Sequence, residues 1–399
     1  MTSSQQLDHA EPGPPASSPR TATENAADRA SDSDDLDILI LGPVPPPFGG
    51  VSAHLARLVP LLQQSGFRVG VLNHFHSVDA PYVLGALRRN PINYYFAPRK
   101  ADAPVFHYHH SRWLHLIAFF LGQRGRQAQY VITLHAPDIG RDLRSRLAPV
   151  RRLTRAALNR FGLVIAVNDQ IRDAVRDYVD PQRLVVIPAY LTASADEAHA
   201  YDAEVEAFLR SGRVLIVAAY RVQFIPDGGE MYGLDTAAEA FVALAREHPE
   251  ARLALFIAQP PTDRRGRRHL AAVEQKLLDA GIRDRAAILF DRPLLPAFGY
   301  DVVFLRPTRS EGDAVSVREA LQAGVTVVAS DVVGRPAGVA TFATGDPEAL
   351  AAAVASALGR SGPEHALPAP DDASEAEGFS AELIRLYRAQ LDQARRDAT

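Results

Sequence analysis

From Leu36 onward the chain alternates short, nearly uninterrupted apolar runs with stretches whose apolar residues recur every three or four positions, and it does so twice. Runs at 36–41, 68–72, 105–108, 130–134, 163–167 and 184–187 read as strands, with helical stretches at 51–64, 111–121, 143–159 and 169–178 between them. A strand that is apolar on both faces must be covered on both, which is the condition of a parallel sheet wrapped by crossover helices. A polar, alanine-rich stretch at 191–212 breaks the rhythm. It restarts with strands at 213–218, 252–258, 287–290, 301–305 and 325–329 and helices at 234–247, 267–280, 315–323 and 347–358. The expected fold is α/β: two Rossmann-like, doubly wound domains facing each other across a cleft. The first spans 36–195 and the second 210–372, and a last helix over 373–399 crosses back to the first.

Residues 1–35 carry seven acidic side chains against Arg20 and Arg29 and almost no large apolar residue, so a disordered acidic tail is expected there. Its Asp32-Ser33-Asp34 run precedes a strand instead of following one, which argues against a metal-binding role. The rest of the chain is almost neutral, with no basic field for nucleic acid. The chain has no cysteine, which excludes disulfide scaffolds, thiolate metal sites and cysteine nucleophiles. The longest apolar stretch, Trp113 to Leu121, is broken by His115 and falls short of the roughly 20 residues of a membrane span. With no basic-then-apolar leader pattern at the N-terminus, a cytoplasmic protein is expected.

Ligands of doubly wound sheets bind beyond the carboxyl ends of the strands, so the loops leaving those ends matter most. After the first strand comes Gly42-Pro43-Val44-Pro45-Pro46-Pro47-Phe48-Gly49-Gly50-Val51-Ser52 and then a helix. Paired glycines at a helix start let backbone N–H groups approach a phosphate, although a plain strand-to-helix turn would read the same way. Histidines collect at 74, 76, 107, 109, 110 and 135. Ligands on one strand alternate between its faces and no acidic partner sits at helical spacing, so no metal site is expected. His135 ends a strand and is placed to meet a sugar hydroxyl or the reacting oxygens, or it is an ordinary loop histidine. Arg221, at the end of the strand opening the second domain, suits a diphosphate by bidentate geometry, or is a surface arginine.

The run Arg306-Pro307-Thr308-Arg309-Ser310-Glu311-Gly312-Asp313-Ala314-Val315-Ser316-Val317-Arg318-Glu319 follows a strand and opens a helix that ends at Gly324. Glu311 and Glu319 would lie about 12 Å apart along a helix, too far for a hydrolase carboxylate pair. They suit two hydroxyl contacts on one extended ligand, while the N–H groups of Ala314, Val315 and Ser316 would meet its phosphates.

In this order, the glycine loop, His135, Arg221 and the Glu-x7-Glu pair with Ala329-Ser330-Asp331 behind it resemble a retaining glycosyltransferase of the GT-B fold in the GT4 family, over about residues 36–358. The resemblance implies a nucleotide-sugar donor and a glycan or lipid-linked acceptor, with no metal and no cofactor. It implies that Glu319 holds the donor ribose, Glu311 the hexose hydroxyls and Arg221 the diphosphate. His135 would face the transferred sugar, and Gly49 and Gly50 would line the phosphate or acceptor side. The chain departs from the pattern at Glu230-Met231-Tyr232-Gly233, where Tyr232 stands in place of the family's lysine, and at Asp313-Ala314 in place of its aromatic-glycine step. Arg306, Arg309 or the helix start then substitutes for the missing charge, or turnover is impaired and the chain is a nucleotide-sugar-binding or regulatory subunit. Another GT-B activity, such as epimerisation of the nucleotide sugar, would use the same parts. The stretch Arg141–Arg160 holds seven arginines and apolar residues near helical spacing, which gives either a solvated face or a peripheral contact with an anionic membrane.

Overall fold

A computed structural model of the chain describes residues 36–398 apart from 47, 110–111, 124–127, 137, 146, 193–200, 227, 313 and 360–371. The expected acidic tail at 1–35 lies outside the described residues, as does Asp313.

The first sheet contains β1 (Ile38–Gly42), β2 (Val69–Asn73), β3 (Val83–Ala86), β4 (Val105–His109), β5 (Gln129–Leu134), β6 (Leu163–Ala166) and β7 (Leu184–Val186). Its order is β3-β2-β1-β4-β5-β6-β7, and every pairing is parallel. The second sheet contains β8 (Arg213–Arg221), β9 (Ala251–Gln259), β10 (Ala286–Phe290), β11 (Val302–Arg306), β12 (Thr326–Ser330) and β13 (Ala340–Phe342). Its order is β10-β9-β8-β11-β12-β13, again all parallel. Strand order reverses between β1 and β4 in one sheet and between β8 and β11 in the other. At these points neighbouring crossover helices leave in opposite directions and open a crevice at the strand ends.

Alternate residues of each strand feed two separate cores. In the first lobe Leu39, Leu41, Phe106 and Tyr108 pack on one face of the sheet. Ile38, Ile40, Val105 and Val131 pack on the other, under the helix Gly50–Gln64. The last helix, Asp372–Ala398, also belongs to that second face and seats Leu383, Tyr387 and Leu391 in the first lobe's core. The second lobe repeats the arrangement with Leu215, Val217 and Leu255 on one face and Ile216, Phe256 and Phe304 on the other.

Two strands and three helices differ from the sequence reading, one of them the short helix Pro91–Phe96 that Asn90 caps. β3 and β13 are short edge strands of 4 and 3 residues, and Gly85 in the first and exposed Thr341 in the second interrupt the apolar run. The stretch 143–159 divides into helices Asp138–Ser145 and Ala148–Leu158, with Pro149 at the start of the second. Within the polar stretch 191–212, Asp202 caps a helix at Ala203–Arg210 whose Val205 and Leu209 are buried in the second lobe. No helix among the described residues is long and apolar enough to cross a membrane.

Candidate functional site

The β1–β4 and β8–β11 crevices face one another and close on a single cavity of 490 Å³. From the first lobe come Phe48, Gly49, Gly50, Ala53 and Arg57, which lie on the β1 loop and its helix, and the Val78–Tyr82 loop after β2. From the second come Ala218, Ala219 and Tyr220 of β8, Arg306 at the end of β11, and Ala314, Val315, Ser316 and Glu319 of the following helix, Val315–Gln322. Tyr232 and the segment Arg292–Leu295 complete the lining.

Six residues singled out in the sequence therefore line one cavity: Gly49 and Gly50 from the first lobe, and Ala314, Val315, Ser316 and Glu319 from the second. A side chain at Gly50 would meet nothing within 4 Å, so the glycine leaves its backbone open to a ligand. At Gly49 an added Cβ would come within 2.8 Å of the Tyr220 ring from the opposite lobe, which makes this glycine a point of close approach. The helix start at Val315 has no side-chain cap, leaving its first N–H groups with no intrahelical acceptor at the cavity edge.

Glu319 is buried and paired with Arg57, whose other Nη donates to Leu191 O at 3.0 Å. That ion pair joins the two lobes. Tyr190 adds a second link through its hydroxyl, which donates to Gln322 Oε1. The sequence offered no signal for Arg57, because its partner lies 262 residues away.

Three expected site residues lie outside the cavity lining. Glu311 is buried behind it and saturated: Arg306 Nε at 2.5 Å, Arg335 Nη1 at 2.6 Å and Thr308 Oγ1 at 3.1 Å all donate to its carboxylate. Burial pushes its carboxyl up, but the two guanidiniums outweigh that and hold it below the usual range. Arg221 is exposed, with Nε donating to Gln223 Oε1 at 3.3 Å. His135 sits at the end of β5 with Nε2 hydrogen-bonded to His109 Nδ1 at 2.8 Å. Its carbonyl packs across the cleft on Gly312, where a Cβ would lie only 2.1 Å from that oxygen.

Tyr232, which the sequence reading set in place of an expected lysine, lines the cavity. Burial pushes its phenol up to about 12, so it presents a neutral hydroxyl and an aromatic face. Arg306 lies over that face with its guanidinium carbon 5.4 Å from the ring centroid, a cation–π distance. Arg309 is turned away, with Nη1 donating to Glu230 O and to Asp235.

The histidines hold one another and the last helix. His107 Nε2 meets Thr133 Oγ1 at 2.8 Å and Tyr387 bonds its Nδ1, while His54 Nδ1 meets Ala189 O at 2.7 Å. His76 is exposed and His110 lies outside the described residues. One group among the described residues, Glu230, Asp235 and His269, brings three ligand-type atoms within 4.8 Å of one another. Both Glu230 oxygens already accept backbone N–H groups and Asp235 is paired with Arg309, so the donor set is poorly suited to a cation.

Two doubly wound sheets closing on one cavity at both switch points define the GT-B glycosyltransferase fold, and solved structures share it. Sucrose-phosphate synthase from Thermosynechococcus elongatus aligns over 91% of this chain and 100% of its own, with a TM-score of 0.66 at 17% identity. An α,α-trehalose-phosphate synthase (UDP-forming) from Burkholderia xenovorans, in complex with glucose-6-phosphate, covers 89% and 100%, with a TM-score of 0.68 at 14% identity. Anabaena HepE in complex with UDP covers 90% and 99%, with a TM-score of 0.58 at 15% identity. No curated protein matches by sequence. Residues 48–189 match the model for Glycosyltransferase Family 4, and residues 224–360 that for Glycosyl transferases group 1. The chain belongs to the GT4-type glycosyltransferases.

Proposed function

We propose that this glycosyltransferase moves a hexose-type sugar, with retention and without a metal or cofactor, from a nucleotide-sugar donor to a glycan or lipid-linked acceptor in polysaccharide or glycoconjugate biosynthesis. The observation that carries the reading is the convergence of Gly49, Gly50, the helix start at Ala314–Ser316 and Glu319 on one interlobe cavity. Its volume suits a nucleotide sugar. The donor's phosphates would meet the uncapped helix start, and Glu319 the ribose. The bond from the sugar C1 to the diphosphate oxygen breaks, one to the acceptor oxygen forms on the same face, and the acceptor proton leaves with the departing phosphate. Stabilising that departing charge and holding the acceptor are the protein's tasks. The UDP bound to Anabaena HepE and the glucose-6-phosphate bound to the Burkholderia synthase support ligands of this size and charge.

The test is a thermal-shift panel with UDP, GDP, ADP and their sugars. Ligand at a hundred times its dissociation constant stabilises the fold by about 2.7 kcal/mol. Wild-type protein should respond to one base and its sugar, and Glu319→Gln should not. A flat response to the whole panel overturns the reading. Tyr232 in the cavity wall favours one second reading, a nucleotide-sugar-binding or regulatory subunit. That protein would show the same shift with no donor hydrolysis or transfer.

A cytoplasmic protein working at the inner face of a membrane fits the helix Ala148–Leu158. It exposes Arg151, Arg152 and Arg155 beside Leu153 and Leu147, the last 78% exposed. The Arg141 and Arg146 side chains of the same stretch lie outside the described residues. Replacing Arg151, Arg152 and Arg155 should abolish binding to vesicles containing phosphatidylglycerol; unchanged binding removes the membrane from the proposal.

A further inference from the structure

Among the described residues, the charged side chains that line the cavity are Arg57, Arg292, Arg306 and Glu319. Arg57 has Glu319 as its counter-ion, and Arg292 has Asp202, with Nη2 donating to Oδ2 at 2.7 Å. Arg306 differs, because its counter-ion Glu311 is shared with Arg335, whose side chain is only 4% exposed. Two guanidiniums share that buried carboxylate, and the Glu230 carboxylate is a second negative neighbour, so Arg306 is held as a cation at the cavity while Glu311 serves both arginines.

The geometry says where that anion would sit. Glu311 takes Nε and Nη2 of Arg306, and Ala218 O takes Nη1 at 2.9 Å. These three anchors fix the guanidinium plane and leave two of its five N–H bonds, one on each terminal nitrogen. The 13% of the side chain that remains exposed belongs to a residue of the cavity wall, which also holds the uncapped N–H groups at Ala314–Ser316. Arg221, by contrast, stands outside this wall.

We propose that Arg306 is the cation that binds the diphosphate of the nucleotide, that Glu311 and Arg335 are its positioning residues, and that Arg221 does not take this role. The inference rests on the nucleotide-sugar reading and assigns the phosphate-binding charge within it. Glu311 then acts through Arg306 instead of gripping the hexose. The Arg306 guanidinium, held by Glu311, stands over the Tyr232 ring.

The experiment is isothermal titration of the purified full chain with a nucleoside, its monophosphate and its diphosphate, for whichever of uridine, guanosine or adenosine binds. Arg306→Gln should lower affinity for the diphosphate about tenfold to a hundredfold, the scale of one charge-assisted contact, and leave the nucleoside affinity unchanged. A merely structural role would weaken both alike and overturn the proposal. So would wild-type diphosphate affinity in Arg306→Gln, or a loss that follows Arg221→Gln instead. Should Arg306→Gln not fold, Arg306→Lys keeps a cation beside Glu311, and a severalfold loss confined to the diphosphate is expected. Wild-type protein that binds none of the nine compounds overturns the nucleotide-sugar reading and this assignment with it. Nucleotide binding that is indifferent to Arg306 overturns the assignment alone.

Discussion

The ion pair between Arg57 and Glu319 is the buried charge contact that joins the two lobes, and removing it gives a measurable consequence. Its side chains are 5% and 9% exposed, so solvent screens them poorly. Two unit charges about 4 Å apart at an effective dielectric of about 20 attract by about 4 kcal/mol. The pair borders the cavity, which returns part of that attraction to solvent, and about 2 kcal/mol of coupling is expected. Arg57→Ala also loses the bond to Leu191 O and removes the counter-ion of a buried carboxylate, so on its own it should destabilise by about 3–4 kcal/mol. Glu319→Gln keeps an acceptor and should lose about 2 kcal/mol. Trp113, the only tryptophan, belongs to the first lobe and reports its urea transition separately from the second, which matters because two lobes need not unfold as one. The double variant completes a cycle. Coupling of about 2 kcal/mol supports a closed structure held by this pair. Additive losses, with coupling below about 0.5 kcal/mol, would refute it.

Two other outcomes are expected from the same cleft and its supporting core. Burial holds His54 down at about 4 and His107 at about 3, so both are neutral in the fold and protonate in the unfolded chain below about 6.5. Stability from these groups is complete above pH 6.5 and is lost as pH falls, at about 1.4 kcal/mol per unit for each, or about 5 kcal/mol between pH 6.5 and 4.5. The Trp113-monitored urea midpoint should fall over that window, and a flat midpoint would contradict the neutral histidine core. Gly312→Ala places a methyl 2.1 Å from the His135 carbonyl oxygen, a backbone atom that no rotamer change can move. The variant should fold, adopt a larger radius of gyration by small-angle scattering and bind nucleotide at least about tenfold more weakly, as expected for misplaced contacts; unchanged shape and affinity would show that the lobes do not meet there.

The features legible in the sequence and those hidden from it divide along a physical line. The alternation of buried strands with amphipathic helices is a local property, so both sheets and the loops at their carboxyl ends could be read from the residues alone. The edge strands Val83–Ala86 and Ala340–Phe342 could not, because Gly85 in one and the exposed Thr341 in the other break the short apolar run that marks a buried strand. Within the site, Gly49, Gly50 and the stretch Ala314–Glu319 were legible because each lies directly after a strand and the topology alone puts it in the crevice. The roles that depend on a partner distant in sequence were not. Glu311 looks free in the sequence, and only the fold brings Arg335 from 24 residues downstream to share its carboxylate with Arg306. Arg221 ends its strand as a phosphate clamp should, yet the residues of β8 that line the cavity are Ala218, Ala219 and Tyr220. Strand position therefore identifies which loop serves the cavity. Which strand-end arginine meets the cavity needs the fold itself, and here it is Arg306 at the end of β11 and not Arg221 at the end of β8.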